Sequence, residues 1–489
     1  MRILGISALS HDAAVALVDG EQVVFAAHAE RYSRVKNDAE LNQALLDDAL
    51  SYGEPDLISW YERPLLKKTR HLRARQWRWA CTASDIPRRH LRRLTLGRPC
   101  PPIRYVRHHE SHAAAGFFTS GFPDATVLTA DGLGEWQTTT IGSYDSRSRY
   151  RPLRSIRYPH SLGLLYSAVT QRCGFKPNEE EYIVMGMASF GEPRFADAIR
   201  RELLDIGDGT FRLRRNVHRG IGQWRPEAEP ADLAASVQLV TEEALLSLAR
   251  WARRHSPSAN LVLMGGVALN CVANSRIARE AGFEKVHILP NPGDAGSSLG
   301  AAAAVVGRAL EWPGPYLGHD IRRPFDVRSI AAALEAGQVV GVANGRAEFG
   351  PRALGNRSLL TDPRPAEAKD RVNRIKQREP FRPFAPVVLE QEAGRLFDLV
   401  PPRSPYMQFV ARCRDPSGLA AVTHVDGTSR VQTLARSQHA KLFDLLTEFH
   451  RRTGCPALLN TSLNVKGEPL VNTWEDATRF RDLHAVPIF

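Results

Sequence analysis

The first thirty residues, "MRILGISALSHDAAVALVDGEQVVFAAHAE" (1–30), alternate short apolar runs with turns. Asp19-Gly20, between two of these runs, is a dipeptide typical of tight hairpins. A similar pattern returns in "ATVLTADGLGEWQTTTIGSYD" (125–145), where one strand ends at Asp131-Gly132 and another follows. Farther on, "LVLMGGVALNCVANSRIA" (261–278) and "VHILPNPGDAGSSLGAAAAVV" (286–306) each predict a buried strand, a loop and a helix. These patterns predict an α/β fold.

The chain has 489 residues, a length that suits two or three domains. Proline and glycine gather in "EWPGPYLGHDIRRPFD" (311–326), which predicts one domain over 1–315 and another over 325–489. No apolar run reaches the length of a membrane span, and the N-terminus reads as a strand rather than a signal peptide. The six cysteines form no CxxC pair, which argues against a thiolate zinc site. We therefore expect a cytoplasmic protein.

Positive charge is concentrated in one segment. Residues 66–107 hold 13 Lys and Arg against the single acid Asp85, a balance equal to the +12 of the entire chain. One interpretation is a solvated helical face. The other is a docking site for an anionic partner, such as a carrier protein, a phosphorylated substrate or RNA.

The stretch "VRHHESHAAAGFF" (106–118) predicts a helix with His108 and His112 on one face, one turn apart. Two imidazoles at this spacing can bind one metal ion. Asp131 and Asp294 each follow a predicted strand, where a carboxylate can be presented outward. Such a mixed nitrogen and oxygen set suits iron, manganese or zinc. His109 could replace either histidine.

Two further patterns suggest phosphate binding. In "DGLGE" (131–135) and "GGVALN" (265–270), glycines would let a phosphate approach backbone N–H groups. In the second domain, a strand is predicted to run into a loop that carries Arg346, Arg352 and Arg357. Arginine forks beside the polar loop "NTSLNVKGEP" (460–469) resemble an anion cradle.

Several motifs in one order make a family resemblance specific: "SHDAAVALVDG", "HHESHAAAGFF", "TADGLGEW", "GGVALNCVANSRI", "NPGDAGSSLGAA", "EFGPRALGNRSLLTDPR", "REPFRPFAP" and "NTSLNVKGEP". Together they resemble the O-carbamoyltransferases of antibiotic and nodulation-factor biosynthesis, over nearly the whole chain. The resemblance implies a first domain like the tRNA threonylcarbamoyl-transferase fold, within the acetate and sugar kinase, chaperone ATPase and actin superfamily. It implies a second domain like threonylcarbamoyl-adenylate synthase.

The family's chemistry implies roles for individual residues. The second domain would make carbamoyl adenylate from carbamoyl phosphate and ATP, and the first would transfer the carbamoyl group to a substrate hydroxyl with the help of a metal. By this resemblance the metal ligands are His108, His112, Asp131 and Asp294, and the transfer site includes His11, the expected base, and Lys36. The adenosine region includes Gly132, Gly134, Gly265, Gly266 and Asn270. The carbamoyl phosphate and ATP residues are Arg346, Arg352, Lys376, Arg382, Arg430, Ser462 and Asn464.

The resemblance also implies the small molecules involved. The expected cofactor is one divalent metal, Fe(II) or alternatively Zn or Mn, with Mg accompanying ATP. The expected partners are carbamoyl phosphate, ATP and a small hydroxylated acceptor, with no membrane and no nucleic acid, and a homodimer is an expected assembly. Two departures stand out: Ile183 replaces the family's usual lysine, and the closing strand is missing, altered or supplied by Val486–Phe489.

Two other functions are compatible with the sequence. One is tRNA threonylcarbamoyl transfer, whose enzymes use related folds, and the basic segment would suit RNA. Only Trp77 and Trp79 interleave with its charges, however. The other is a non-catalytic nucleotide-binding scaffold. Hydrogenase-maturation carbamoyltransferases place these domains in the reverse order and carry zinc fingers, which require CxxC pairs that are absent here.

Overall fold

The computed structural model describes residues 1–82, 86–94 and 101–489, so part of the basic segment 66–107 lies outside the described residues. The chain forms two compact units. The first contains Met1–Ser33 and Asn37–Trp312, and the second contains Arg34–Lys36 and Pro313–Phe489. The predicted first domain, 1–315, included residues 34–36. They group with the second unit because the Arg34 guanidinium donates to the carbonyl oxygens of Leu470 and Pro469, at 2.6 and 3.0 Å.

The described part of the first unit contains two five-stranded sheets and a separate two-stranded pair. The strands are β1 Arg2–Ser7, β2 Ala14–Asp19, β3 Gln22–His28, β4 Leu57–Trp60, β5 Ile103–Tyr105, β6 Ala125–Ala130, β7 Gln137–Tyr144, β8 Tyr150–Arg157, β9 Leu204–Gly207, β10 Thr210–Leu213, β11 Asn260–Met264 and β12 Lys285–His287. The five-stranded sheets have the orders β3-β2-β1-β4-β5 and β8-β7-β6-β11-β12.

The two five-stranded sheets repeat one topology. In each, the first three strands form an antiparallel meander, and two later strands pair in parallel beside the first. The sequence similarity between 1–30 and 125–145 therefore reflects the same meander built twice, and the predicted α/β class is confirmed. The repeat matters for the site because the innermost strand of the second sheet, β6, ends at Ala130, directly before Asp131.

The helices of the first unit cover the sheets. They are α1 Glu30–Ser33, α2 Gln43–Leu50, α3 Pro64–Arg73, α4 Trp77–Cys81, α5 Pro87–Leu91, α6 His108–Ser120, α7 Leu162–Arg172, α8 Glu181–Met187, α9 Ala196–Glu202, α10 Pro230–His255, α11 Cys271–Glu280 and α12 Ser297–Val306. Helix α6 ends at Gly121, whose left-handed conformation with φ of 69° suits the residue after a helix. Ile183, on α8, is fully buried in the core.

The second unit centres on a seven-stranded mixed sheet. The strands of the second unit, including a separate two-stranded pair, are β13 Tyr316–Ile321, β14 Val340–Ala343, β15 Gly345–Glu348, β16 Arg357–Thr361, β17 Ala385–Leu389, β18 Phe397–Asp398, β19 Phe409–Cys413, β20 Thr428–Leu434 and β21 Ala457–Ser462. The large sheet has the order β14-β16-β21-β17-β20-β19-β18, and β13 pairs with β15. The helices are α13 Val327–Glu335, α14 Glu367–Ile375, α15 Glu390–Leu396, α16 Ala440–Thr453 and α17 Trp474–His484.

Two features of the second unit bear on the sequence predictions. Arg346 lies on β15 and Arg357 on β16, so only Arg352 of the three arginines occupies a loop. The chain's last residues pair with β14: Gly341 N–H donates to Pro487 O at 2.8 Å, and Phe489 N–H donates to Gly341 O at 2.9 Å. Residues at the end of the chain thus extend the sheet, which is one of the three predicted alternatives.

Candidate functional site

Helix α6 brings His108 and His112 together. Both rings are buried, and their Nε2 atoms lie 3.2 Å apart because the residues are separated by one helical turn. The Nδ1 atom of His112 lies 3.1 Å from the carbonyl oxygen of Pro292. A carbonyl can only accept, so His112 Nδ1 donates to Pro292 O, and Nε2 is the nitrogen that faces the cluster.

Two carboxylates complete the cluster. Asp131 follows β6, and its Oδ2 lies 3.2 Å from His108 Nε2. Asp294 begins the 3₁₀ turn Asp294–Gly296, and its Oδ1 lies 3.4 Å from His108 Nε2 and 3.3 Å from His112 Nε2. One ligand atom from each of the four residues lies within 4.8 Å of the other three. The structure therefore brings together the complete predicted metal-ligand set.

The charges in the cluster support one another. Burial alone would lower the pKa of His108, but Asp294 and Asp131 beside it raise that pKa well above its usual value. Burial would raise the pKa of Asp294, and the two histidines hold it well below its usual value instead. The pKa of His109 falls to about 3, because the ring is buried and lies beside His108 and His112. His109 also contacts Thr140 Oγ1 at 2.9 Å through Nδ1 and lies outside the four-residue set.

This donor set fits a divalent metal ion. The Nε2 atoms of His108 and His112 lie 3.2 Å apart, and both face Asp294 Oδ1, at 3.4 and 3.3 Å. Two carboxylates in a buried site need positive charge to offset their desolvation. Imidazole and carboxylate ligands together are typical of zinc, iron and manganese sites. Among the described residues these four would hold the ion.

Backbone groups hold the carboxylate of Asp131, a contribution that the sequence reading missed. The Gly266 N–H donates to Asp131 Oδ1 at 2.9 Å, which leaves Oδ2 to face His108. Gly265 must be glycine here, because its φ is 90° and a Cβ would lie 2.1 Å from Ala130 O. Outer contacts of this kind orient metal ligands. The signal for this contact in the sequence is the "GG" pair after a strand, a pattern that equally predicts a phosphate loop.

The residues predicted to bind nucleotide in the first unit have different surroundings. The Gly266 N–H already donates to Asp131, and a Cβ on Gly134 would lie 2.8 Å from the His108 ring, so both glycines pack against the metal-ligand cluster. The Asn270 side chain caps α11 by accepting from Ala273 N–H at 3.0 Å and exchanges two hydrogen bonds with Gln238. Gly132 has open space where a Cβ would be. Of the set, Gly132 keeps the most room for a ligand.

His11 lies close enough to the cluster to feel the charge of Asp294. Its Nδ1 atom is 3.1 Å from Asp12 Oδ2. Burial would lower the pKa of His11, but Asp12 and Asp294 raise it to about 9. At neutral pH the imidazole is therefore protonated and donates rather than accepts. A metal ion on Asp294 would oppose this effect, because a nearby cation disfavours imidazolium.

In the second unit, Lys376, Ser462 and Asn464 form one network. The Lys376 ammonium donates to Ser462 O, to Ser462 Oγ at 3.1 Å, and to Asn464 O and Oδ1 at 2.8 and 2.9 Å. Burial lowers the pKa of Lys376 well below its usual value, and the nearby cations Arg378, Arg382 and Lys36 lower it further. Lys36, predicted in the transfer site, thus lies near this cationic cluster of the second unit.

Two of the arginines in the second unit have structural roles. Arg357 is fully buried, and its guanidinium donates to the carbonyl oxygens of His319, Asn344, Gly345, Asn356 and Asn472. Arg346 donates to the carbonyl oxygens of Leu317 and Gly318. These two side chains tie strands and loops together. Arg352, Arg382 and Arg430 are half-buried.

Family comparisons now place the chain. The family model described as "Carbamoyltransferase N-terminus" matches residues 2–73 and 88–303, and "Carbamoyltransferase C-terminus" matches residues 331–487. This chain belongs to the carbamoyltransferase family. The protein is accordingly a transferase enzyme. No helix among the described residues of this carbamoyltransferase is both long and apolar enough to cross a membrane.

The relatives span almost the whole chain. An uncharacterized Synechocystis protein is 38% identical over 98% of this chain and 93% of its own length. Nodulation protein NolNO of Sinorhizobium fredii is 36% identical over 96% and 76%. The 3'-hydroxymethylcephem-O-carbamoyltransferase of Streptomyces clavuligerus is 29% identical over 96% and 94%. Among solved structures, full-length HypF in its phosphate- and nucleotide-bound form gives a TM-score of 0.36 at 14% identity, over 62% of this chain and 55% of that one.

Proposed function

We propose that this carbamoyltransferase is an ATP-dependent O-carbamoyltransferase that modifies a hydroxyl of a natural product. The observation that carries the proposal is the buried cluster of His108, His112, Asp131 and Asp294 in the unit that the N-terminal family model matches. The Streptomyces clavuligerus relative, named for O-carbamoyl transfer to a hydroxymethylcephem, supports a hydroxyl acceptor. The proposal includes the actin-like and threonylcarbamoyl-adenylate-synthase-like assignments of the two units.

The second unit would form carbamoyl adenylate. Carbamoyl phosphate gives up phosphate to water, and the carbamate oxygen attacks the α-phosphorus of ATP, so that one phosphate and one pyrophosphate leave. Arg352, Arg382 and Arg430 would bind the phosphates, because forked guanidinium donors match their oxygens. Lys376 would position Ser462 and Asn464 through the hydrogen bonds described above. Mg²⁺ would accompany ATP.

The first unit would then transfer the carbamoyl group. The acceptor oxygen attacks the carbamoyl carbon, AMP leaves, and the hydroxyl proton must pass to a base. A divalent ion held by the four ligands, Fe(II) or alternatively Zn or Mn, would supply a Lewis acid for the carbonyl oxygen. His11 would accept the proton in its neutral form, which a positive charge near Asp294 favours. Gly132 would face the adenylate, with Gly265 shaping the turn behind it.

The test is to incubate the protein with carbamoyl phosphate, ATP and a panel of hydroxylated natural products. The proposal expects pyrophosphate release without any acceptor, and a gain of one carbamoyl mass on one member of the panel. No pyrophosphate under any condition would contradict it. The proposal places the enzyme in the cytoplasm, where ATP is available, and a homodimer remains a prediction that sedimentation can check.

A further inference from the structure

Helices α3 and α4, and the residue before α5, expose large apolar side chains. Leu65 is 78% exposed, Trp77 62% and Trp79 57%. Leu66, Leu72 and Ile86 are also exposed. Scattered apolar residues are normal on a protein surface, but six within 22 residues that include two tryptophans are a concentration that requires an explanation. Residues 74–87, which include both tryptophans, lie outside the match to the N-terminal family model.

Arginines are also exposed on these helices and on the residues that flank them. Seven of them, Arg73, Arg75, Arg78, Arg88, Arg89, Arg92 and Arg93, are exposed, and none forms an ion pair with an acidic residue that the structure describes. Elsewhere in the first unit, arginines commonly pair with carboxylates, as Arg200 does with Glu243 and Arg250 with Glu280. The segment therefore presents uncompensated positive charge together with apolar surface.

Helix α3 is fixed to the metal cluster's own loop. The Arg63 N–H donates to Glu135 Oε1 at 2.6 Å, and Arg70 donates to Gly134 O. The Trp136 indole donates to Thr69 Oγ1 at 3.1 Å. Lys67 of α3 also contacts Leu9 O at 3.3 Å, two residues before His11. Helix α3 thus contacts both loops that carry predicted transfer-site residues of the first unit, Asp131 and His11.

We infer that α3, α4 and α5 bind an anionic lipid–water interface. Exposed Trp and Leu beside Lys and Arg form the composition of a surface that lies in the headgroup region. Indole rings favour this region, and arginines are attracted to anionic headgroups. The aliphatic residues Leu65, Leu72 and Ile86 favour lipid over RNA, because nucleic acid stacks on aromatic rings and offers no apolar phase. No membrane span is needed, so the inference replaces the expectation of no membrane partner.

Resting on the proposed function, this inference narrows the acceptor class. A hydroxyl delivered at this surface would belong to an amphiphile, with an apolar part held in the interface and a polar head that reaches the loop after Asp131. The hydrogen bonds from Arg70 to Gly134 and from Arg63 to Glu135 would hold α3 in a fixed position relative to the loop after Asp131.

The experiment is co-sedimentation of the full-length protein with two kinds of vesicle, phosphatidylcholine alone and phosphatidylcholine mixed with phosphatidylglycerol. We expect binding to the anionic vesicles that weakens as salt rises. The triple variant Arg73→Gln, Arg75→Gln, Arg78→Gln should bind the anionic vesicles roughly 100-fold more weakly. Each arginine contributes about 1 kcal/mol, and about 1.4 kcal/mol corresponds to a tenfold change in affinity. The double variant Trp77→Ala, Trp79→Ala should bind less at every salt concentration while keeping its salt dependence.

The matched control removes the same charge elsewhere on the first unit, through Arg151→Gln, Arg157→Gln and Arg201→Gln at three exposed positions. It should bind the anionic vesicles like the wild type. Equal binding to both vesicle types, equal loss in the control, or preference for poly(U) RNA over anionic vesicles would each overturn the inference. Pyrophosphate release from ATP and carbamoyl phosphate, measured on every variant, reports on the proposed function separately, because it needs neither vesicles nor acceptor.

Discussion

The metal cluster of the first unit and the cationic cluster of the second are built in opposite ways. Around Asp131, backbone groups satisfy one carboxylate oxygen and direct the other into the cluster. Around Lys376, the protein's own oxygens already surround the ammonium. In the first cluster, ligand atoms of four side chains face one another. In the second, oxygen atoms of the protein already accept hydrogen bonds from the Lys376 side chain. A group of charged residues therefore indicates a ligand site more strongly when the protein itself does not fill its hydrogen-bonding positions.

A large loss of pyrophosphate release is expected when the second cluster is broken. Lys376→Met should reduce pyrophosphate release by roughly 10²–10³-fold, the usual cost of losing one preorganised donor in a site. It removes the ammonium that holds Ser462 and Asn464. The matched control is Lys466→Met, two residues beyond Asn464, where the lysine is exposed and pairs with Glu379. Equal loss in both variants would show that the position of Lys376 carries no special role.

A second pair of variants separates structural from ligand-binding arginines. Arg357→Ala should lower the free energy of unfolding by about 3 kcal/mol or more, because five carbonyl oxygens lose their donor in a buried site. Arg352→Ala, at a half-buried loop position, should change that free energy by less than about 1 kcal/mol, yet abolish pyrophosphate release. Urea unfolding and the pyrophosphate assay measure the two effects. Similar stability losses in both variants would contradict the distinction.

The sequence indicated which side chains meet in the first cluster and in the network of Lys376, Ser462 and Asn464, but it did not indicate where the donors of each arginine go. Strand ends and a one-turn histidine spacing constrain geometry, so His108, His112, Asp131 and Asp294 could be expected to meet. The sequence does not show where an arginine's donors go, and Arg357, expected in a loop, lies fully buried on a strand. The sequence also does not show that the Asn270 side chain caps a helix, because a capping asparagine and a ligand-binding asparagine look alike in sequence.

A smaller effect sharpens the role of the glycine turn. Gly266→Ala should weaken metal binding about 10-fold, the lower end for an outer contact, because its Cβ would lie 3.1 Å from Asp131 Oδ1. Gly132→Ala is the matched control, since nothing lies within 4 Å of its Cβ. Metal titration should distinguish the two. If Gly132→Ala instead raises the KM for the adenylate donor without changing metal affinity, Gly132 faces the nucleotide.

The smallest expected change is a titration. In the metal-free protein, the His11 imidazole should remain protonated up to about pH 9, because its pKa is raised to about 9. Asp12→Asn should move this pKa towards 6.5, and metal loading should lower it as well, since a cation repels imidazolium. Histidine NMR across the pH range measures the shift. A pKa near 6.5 in all three states would remove the electrostatic link between His11 and the cluster.

We expect adenylate formation and carbamoyl transfer to use separate sites. The most direct measurement is made on one preparation of His112→Ala, with metal content, pyrophosphate release and acceptor carbamoylation determined together. Metal affinity should fall by more than about 100-fold, since a ligand matters more than its outer contacts. Carbamoylation should disappear while pyrophosphate release continues at the wild-type rate. Loss of both activities in the folded variant, or carbamoylation that survives without metal, would contradict the claim.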